Sequence, residues 1–132
     1  MNTYAADRMN EYIAQHDRFT TEDLYCYIKT KSPKQAPSMR EISHYLITSP
    51  LIKAEPGTTD TWSRINLPAG IPELLRAVWR AGSMPMQELR ERYGPAVDSA
   101  ASAGMILRAE SRVACDYILT RRGISYMRGL TA

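Results

Sequence analysis

Apolar residues in the first part of the chain recur with helical spacing, and the same pattern returns 65 positions later. In each copy, a polar or small-residue break at 16–18 or 81–83 separates two helical stretches. Five pairs of positions carry this ungapped match, namely Met9 with Leu74, Ile13 with Val78, Phe19 with Met84, Leu24 with Leu89, and Ile28 with Tyr93. The chain is therefore predicted to contain two copies of one structural unit.

Side chains that cap helices mark where the later helices of each copy begin and end. Thr20 or Thr21 can cap the second helix of the first copy, and Ser83 can cap its counterpart. Ser38 precedes "MREISHYLIT", and Gly104 follows "AVDSAAS" with a short spacer. We therefore expect a third helix that starts after Ser38 in the first copy, and one that ends at Gly104 in the second.

Alternating stretches follow each third helix. "LIKAEP" and "TWSRINL" flank a turn that contains Gly57, and "MILRAE" with "RVACDYIL" makes a second pair. Three helices followed by a two-stranded hairpin, twice over, is the winged-helix arrangement. We expect a mainly α fold with small β-hairpins (an α+β fold), built as tandem winged-helix repeats. The first unit is predicted over 1–67, the junction over 68–71 and the second unit over 72–132.

The segment "YILTRRGISYM" resembles the end of the wing in MarR-like and PadR-like winged-helix regulators. In those proteins a Tyr-x-Leu-Thr-x-x-Gly pattern closes the last strand and starts a helix, and the matching positions here are Tyr117, Leu119, Thr120 and Gly123. Thr120 can cap the closing helix, while Gly123 permits close approach between that helix and its neighbour. The resemblance covers the second half of the chain and implies a DNA-binding regulator.

The two arginines inside this segment have two readings of equal weight. Arg121 and Arg122 form either a solvated surface pair or a contact to phosphate. The apolar face of the same helix, made by Ile124, Met127 and Leu130, can pack within the chain or pair with a second copy. A homodimer is therefore one expectation.

Charge is divided unevenly between the two copies. Residues 1–66 carry eight Lys or Arg and eight Asp or Glu, whereas residues 67–132 carry nine Arg, no Lys and six Asp or Glu. The whole net charge of +3 therefore lies in the second half. This mild basicity permits a polyanionic partner, and the planar fork of arginine suits phosphate.

The third helix of the first copy contains the strongest candidates for base recognition. If Met39 and its apolar neighbours face inward, then Arg40, Ser43 and His44 face outward, where they can bond bases or phosphates. A merely polar helix face is the alternative for these side chains. The prediction is that this helix enters the major groove of double-stranded DNA.

Further basic residues surround this helix and the second wing. The stretch "KTKSPKQAPSMR" contains no acid, and it is either a phosphate-gripping loop or a sign that the first copy has drifted from the usual docking pose. The third helix of the second copy has no cation, so it is predicted to be a poor base reader. The residues expected to contact the DNA backbone are Lys29, Lys31, Lys34, Arg108, Arg112, Arg121 and Arg122.

Other classes of function find little support in the chain. It has no Gly-rich phosphate loop, nucleophile elbow or paired-histidine motif, so we expect neither an enzyme nor a bound cofactor or metal.

Cys26 and Cys115 lie in apolar patterns and are predicted to be buried, reduced thiols. Trp62 and Trp79 are predicted to be structural. No apolar run is long enough for a membrane span, and the N-terminus lacks a signal-peptide core, so a cytoplasmic protein without membrane contact is expected.

These observations lead to one main functional prediction and one alternative. The main prediction is a double-stranded DNA-binding protein, a small transcriptional regulator of prokaryotic or viral type. The alternative is a winged-helix adaptor that binds a protein partner within a larger complex. It is favoured by the third helix of the second copy, which carries small side chains and no cation. Fold alone does not decide between them.

Overall fold

The computed structural model describes residues 2–110 and 115–131, without the side chains of Glu110 and Cys115. These residues form a mainly helical α+β fold with two small three-stranded antiparallel sheets. The first half contains α1 (Thr3–Gln15), β1 (Arg18–Thr20), α2 (Thr21–Lys31), a 3-10 turn (Pro33–Gln35), α3 (Met39–Thr48), β2 (Ile52–Ala54) and β3 (Thr61–Arg64). The second half contains α4 (Ile71–Ala81), β4 (Met84–Pro85), α5 (Met86–Tyr93), α6 (Pro95–Ser102), β5 (Ile106–Glu110), β6 (Cys115–Leu119) and α7 (Arg121–Thr131).

Each half builds its sheet in the same order. The strands run β1-β3-β2 in the first sheet and β4-β6-β5 in the second, so the strand after the first helix pairs with the last strand of its half. Phe19 lies opposite Trp62, and Met84 lies opposite Tyr117. The sequence patterns predicted the two hairpins but missed β1 and β4, because two or three residues are too few to display alternation.

The repeat holds closely up to the second helix and then changes its spacing. Phe19 and Met84 are 65 positions apart, whereas Ile52 and Ile106, which begin β2 and β5, are 54 apart. The difference arises because α2 is longer than α5 and because the segment 32–38, with its 3-10 turn, precedes α3. In the second half, Gly94 alone separates α5 from α6.

Most of the predicted helix caps are present. The Thr20 hydroxyl accepts from the Asp23 N–H at 3.1 Å, and the Asp23 carboxylate accepts from the Thr20 N–H at 3.0 Å, which completes a capping box. The Ser38 hydroxyl accepts from the Glu41 N–H at 3.2 Å. The prediction for Ser83 is wrong. Its hydroxyl donates to Asp116 at 3.3 Å, and α5 begins after Pro85 without a side-chain cap.

Gly104 ends α6 as predicted. Its φ of +72° lies in the left-handed region that favours glycine. The N–H of Gly104 donates to the Ala101 carbonyl and that of Met105 to the Ala100 carbonyl, both at 3.0 Å. This is the Schellman arrangement, which reverses the chain from α6 into β5.

Buried side chains from both halves form one continuous core. The five apolar positions of the repeat are buried in both copies, except that Tyr93 is half-buried. Three predictions about burial are wrong. Met39 is 42% exposed and Trp79 is 51% exposed, because the inward faces of their helices are filled by Ile42 and Val78 with their neighbours. Cys26 is exposed as well, since it lies on the outer face of α2.

Helix α7 joins the two halves by packing along α1 and against α4. Met127 is buried and Leu130 packs against the core, whereas Ile124 is half-buried and lines a small groove with Trp79. Most of the apolar face of α7 therefore packs within the chain, and the homodimer stays a prediction. A Cβ at Gly129 would lie 2.4 Å from the Glu11 carbonyl oxygen and 2.8 Å from the Ala14 Cβ.

Gly123 also allows the predicted close approach of α7 to its neighbour. A Cβ at this position would lie 2.1 Å from the Met105 carbonyl oxygen. The neighbour is therefore the backbone that leads into β5. The Thr120 hydroxyl accepts from the Gly123 N–H at 3.1 Å, which confirms the predicted cap of α7.

Replacing Gly129 with Ala is expected to destabilise the protein. The added methyl group overlaps the backbone of α1, so α7 must shift, and we expect the free energy of unfolding to fall by about 1–3 kcal/mol. Gly70→Ala is the matched control, because a Cβ there meets only ordinary contacts at 3.8 Å and beyond. Urea unfolding followed by circular dichroism measures both variants. Equal stability of G129A and G70A would contradict this account of the α1–α7 contact.

Candidate nucleic-acid interface

Helix α3 presents the predicted base-reading side chains to solvent. Ile42 and Leu46 are buried beneath it, and the Tyr45 hydroxyl donates to Asn10 on α1 at 3.0 Å. These contacts fix which face of the helix points outward. A shallow groove of about 350 Å³ runs along that face, and it is lined by Arg40, Glu41, His44, Tyr45 and Thr48.

The outward face of α3 combines several kinds of side chain. Arg40 is exposed and forms no ion pair or hydrogen bond with any residue of the described ranges, while His44 is exposed one turn further on. Ser43 is half-buried. Ile47 is 70% exposed on the same outer side, and the sequence prediction had assigned it to neither face of the helix.

The three lysines lie at the end of α2 and in the turn that leads to α3. Lys29 donates to the Tyr25 hydroxyl at 3.2 Å and lies over that ring, and Lys31 lies 6.0 Å from the centre of the Tyr27 ring. Lys34 is exposed in the 3-10 turn. All three lysines thus precede, along the chain, the helix that carries Arg40.

The arginines predicted in the second half occupy three different surroundings. Arg108 is exposed on β5, in register with Tyr117 on β6. Arg112 lies outside the described residues. Arg121 and Arg122 begin α7 but contact different neighbours, so the three described arginines lie in different surroundings.

Arg121 is bound to Asp7 on α1. Its Nε donates to the two carboxylate oxygens at 3.0 and 3.1 Å, and its Nη2 donates to Oδ2 at 2.8 Å. The Ser125 hydroxyl adds a fourth hydrogen bond to Asp7 at 2.8 Å. The guanidinium also lies 5.7 Å from the centre of the Tyr4 ring. A phosphate would have to compete with this arrangement.

The same contacts change the ionisation of Asp7. Burial alone would raise the pKa of this carboxyl, but the hydrogen bonds from Arg121 and Ser125 and the charges of Arg121 and Arg128 outweigh burial. The pKa of Asp7 is therefore lower than its ordinary value of 3.8. The ionised carboxylate is thus the form that the folded protein stabilises.

Arg122 packs at the carboxyl end of α6. A Cβ at Gly104 would lie 2.7 Å from its Nη1, so the guanidinium covers the glycine that ends that helix. Its Nε is buried and has no hydrogen-bond partner among the described residues. A cation at a helix C-terminus is favourable because the helix dipole is negative there. The adjacent arginines thus connect the start of α7 with α1 on one side and with α6 on the other.

Helix α6, the counterpart of α3, borders the first half. Asp98, Ser99 and Ser102 line a groove of about 300 Å³ together with Pro50 and the segment 65–67. Asp98 also forms an ion pair with Arg90 at 3.2 Å. The outward side chains of α6 are therefore small or acidic and lie beside other protein surface, whereas those of α3 include a cation.

Comparisons with known proteins do not identify a family for the chain. The chain matches no protein-family model and no curated protein. Within residues 2–110 and 115–131, no group of three or more His, Cys, Asp or Glu side chains is placed to hold a metal ion. In the same ranges, no helix is long and apolar enough to cross a membrane.

Asp7→Asn is expected to lower stability in a pH-dependent way. Because the pKa of Asp7 is lower in the folded than in the unfolded protein, its charge stabilises the fold above the ordinary value of 3.8. This contribution disappears as the pH falls through the lower, folded-state pKa. Urea unfolding should show D7N less stable than the wild type at pH 7, with the difference shrinking towards pH 2.

Arg121→Gln provides the matched comparison for this prediction. It removes the partner of Asp7 and should destabilise the protein at pH 7 in the same direction as D7N. The double variant should lose less than the sum of the two single losses, because both single changes break the same pair. A difference between D7N and wild type that stays constant down to pH 2 would show that the Asp7 charge is not the stabilising group.

Proposed function

We propose that the chain is a tandem winged-helix protein that binds double-stranded DNA, with α3 entering the major groove. Each half has the order helix, short strand, helix, helix and hairpin, and in each sheet the short strand pairs with the last strand of the hairpin. This order and pairing support the winged-helix assignment, with β2–β3 and β5–β6 as the wings. The proposed function is binding and not catalysis.

One observation carries the DNA proposal: the outward face of α3 offers side chains that complement a major groove. An arginine pairs with guanine or phosphate, a histidine donates or accepts hydrogen bonds, and an apolar side chain contacts the thymine methyl group. Arg40, His44 and Ile47 supply these three chemistries on one exposed side. The buried Ile42 and Leu46 hold that side outward.

Phosphate contacts come from residues around α3. Lys29, Lys31 and Lys34 lie immediately before this helix in the chain, which suits them to grip the backbone beside the bases that α3 reads. Arg108 on β5 is the described arginine of the second wing that is suited to the same role. Arg121 is better assigned to the α1–α7 contact, because Asp7 already binds its guanidinium.

A transcriptional regulator of prokaryotic or viral type is the biological role that we propose for such a protein. The exposed Met39 and Ile47 on α3 favour the second candidate, a protein-interaction adaptor, because apolar side chains at a surface also suit protein contacts. A salt series with random duplex DNA separates the two functions. Binding that weakens steeply from 50 to 200 mM salt indicates phosphate contacts, whereas no binding at low salt would refute the DNA proposal.

Arg40→Ala is expected to weaken binding to a preferred DNA site by about 1–3 kcal/mol and to relax the preference at one base pair. The reason is that a guanidinium in the groove discriminates by a pair of hydrogen bonds to one base. Site selection from a random duplex pool, followed by fluorescence anisotropy, measures both effects. Arg8→Ala is the control, since Arg8 lies on α1 and is paired with Glu11 at 3.0 Å.

If R40A leaves affinity and preference unchanged while DNA binding persists, α3 is not the reading helix.

Ile47→Ala is expected to reduce the preference for thymine at one position while leaving binding to random duplex unchanged. The removed side chain makes apolar contacts to a base and carries no charge for phosphate. Selection of sites with the wild type and with I47A gives the comparison. An equal loss of affinity for every sequence would contradict the proposed placement of Ile47 in the groove.

A further inference from the structure

The outer surface of α4 carries two arginines that the predicted DNA interface did not include. Leu74, Leu75 and Val78 are fully buried on the inner side of this helix. Arg76 and Arg80 lie four positions apart on its outer side, and both are exposed. Four residues of α-helix rise by roughly 6 Å, so the two guanidinium groups can reach the same extended anion.

Neither arginine is neutralised by a neighbour. Arg76 and Arg80 form no ion pair or hydrogen bond with any residue in the described parts of the chain. Like charges four positions apart on a helix repel each other. By contrast, Arg90, Arg92 and Arg121 of the same half are each paired with a carboxylate. An external anion would relieve the repulsion between Arg76 and Arg80.

These side chains line a groove between α4 and α5, which we call the α4/α5 groove. Its volume is about 660 Å³, and its polar lining residues are Glu73, Arg76, Arg80, Ser83, Glu88, Arg92 and Tyr93. Arg92 is paired with Glu88 at 3.2 Å, and Glu73 lies in the first turn of α4, where the helix dipole favours a carboxylate. Among the described residues, Arg76 and Arg80 thus bring two unpaired positive charges to the groove, against the single unpaired carboxylate of Glu73.

We propose that the α4/α5 groove binds the sugar-phosphate backbone of the DNA whose bases α3 reads. Guanidinium groups bind phosphate oxygens in pairs, and two of them one helical turn apart suit neighbouring phosphates along one strand. No Asn or Gln side chain of the described ranges lines the groove beside the arginines, so we expect its contribution to be independent of sequence. The proposal rests on the proposed DNA-binding function, and it adds phosphate contacts from the second half to the base selection that is assigned to the first.

The test uses the double variant R76Q/R80Q in the full chain. Anisotropy with a labelled 30-base-pair duplex, preferred or random, is measured from 50 to 200 mM salt. Loss of two phosphate contacts should reduce the slope of log affinity against log salt by about 1.8 and lower affinity at 50 mM about tenfold or more for both duplexes. The ratio between preferred and random duplex should stay unchanged.

Two further variants make the result specific. R8Q/R18Q removes the same number of positive charges from arginines that are already paired with Glu11 and Glu55, so it should leave the salt slope nearly unchanged. R76K/R80K keeps the positive charges but not the planar guanidinium groups. It should therefore show the salt slope of the wild type but only part of the wild-type affinity for DNA. Because Arg76 and Arg80 are exposed and repel each other, R76Q/R80Q should unfold at or slightly above the wild-type temperature.

The outcomes separate the inference from the function on which it rests. A wild-type protein that binds no duplex at 50 mM salt refutes the proposed function, and the inference with it. DNA binding that responds to R40A but keeps its salt slope in R76Q/R80Q refutes the inference alone. Equal salt slopes in R76Q/R80Q and R8Q/R18Q would also refute the inference alone. Binding of an acidic peptide in place of DNA would assign the groove to a protein partner.

Discussion

Helix α7 lies so close to α1 that position 129 has room only for a hydrogen atom. Gly129 meets the backbone of Glu11, and at the other end of the same contact Arg121 and Ser125 bind Asp7. Close packing at Gly129 therefore stabilises one end of the contact, and the ion pair between Arg121 and Asp7 stabilises the other. Because α1 also holds α3 through the Asn10–Tyr45 hydrogen bond, the position of the proposed reading helix depends on it indirectly.

Much of the fold could be predicted from the repeated apolar pattern, because each helix buries a stripe of its own residues. The helices, both hairpins and the caps at Thr20, Ser38, Gly104 and Thr120 followed from local chemistry. The strands β1 and β4 did not, since their pairing partners lie far along the chain. The Gly129 contact and the exposure of Trp79 were also beyond reach, because each depends on which helices meet in three dimensions.

The candidate site was predictable only where it lies on a single element. Arg40 and His44 lie on the outward face of α3, as the spacing of its apolar residues indicated, although Met39 proved to be exposed. The contact between Arg121 and Asp7 could not be predicted, because the two residues are 114 positions apart. Arg76 and Arg80 were visible in the sequence as a pair opposite the apolar stripe of α4, but only the structure shows that they line a groove in which neither forms an ion pair with a described residue.

The distance along the chain between α1 and α7 also has a consequence for protein synthesis. Asp7 and Arg121 are 114 positions apart, and a ribosome that adds about 5–20 residues per second needs roughly 6–23 s to cover that interval. During this time the first half can form its sheet and its three helices, but one side of α1 has no helix to cover it. The nascent chain therefore carries an uncovered helix surface and an unpaired Asp7 until α7 emerges, which makes that interval the one in which chaperones or neighbouring chains have access to the first half.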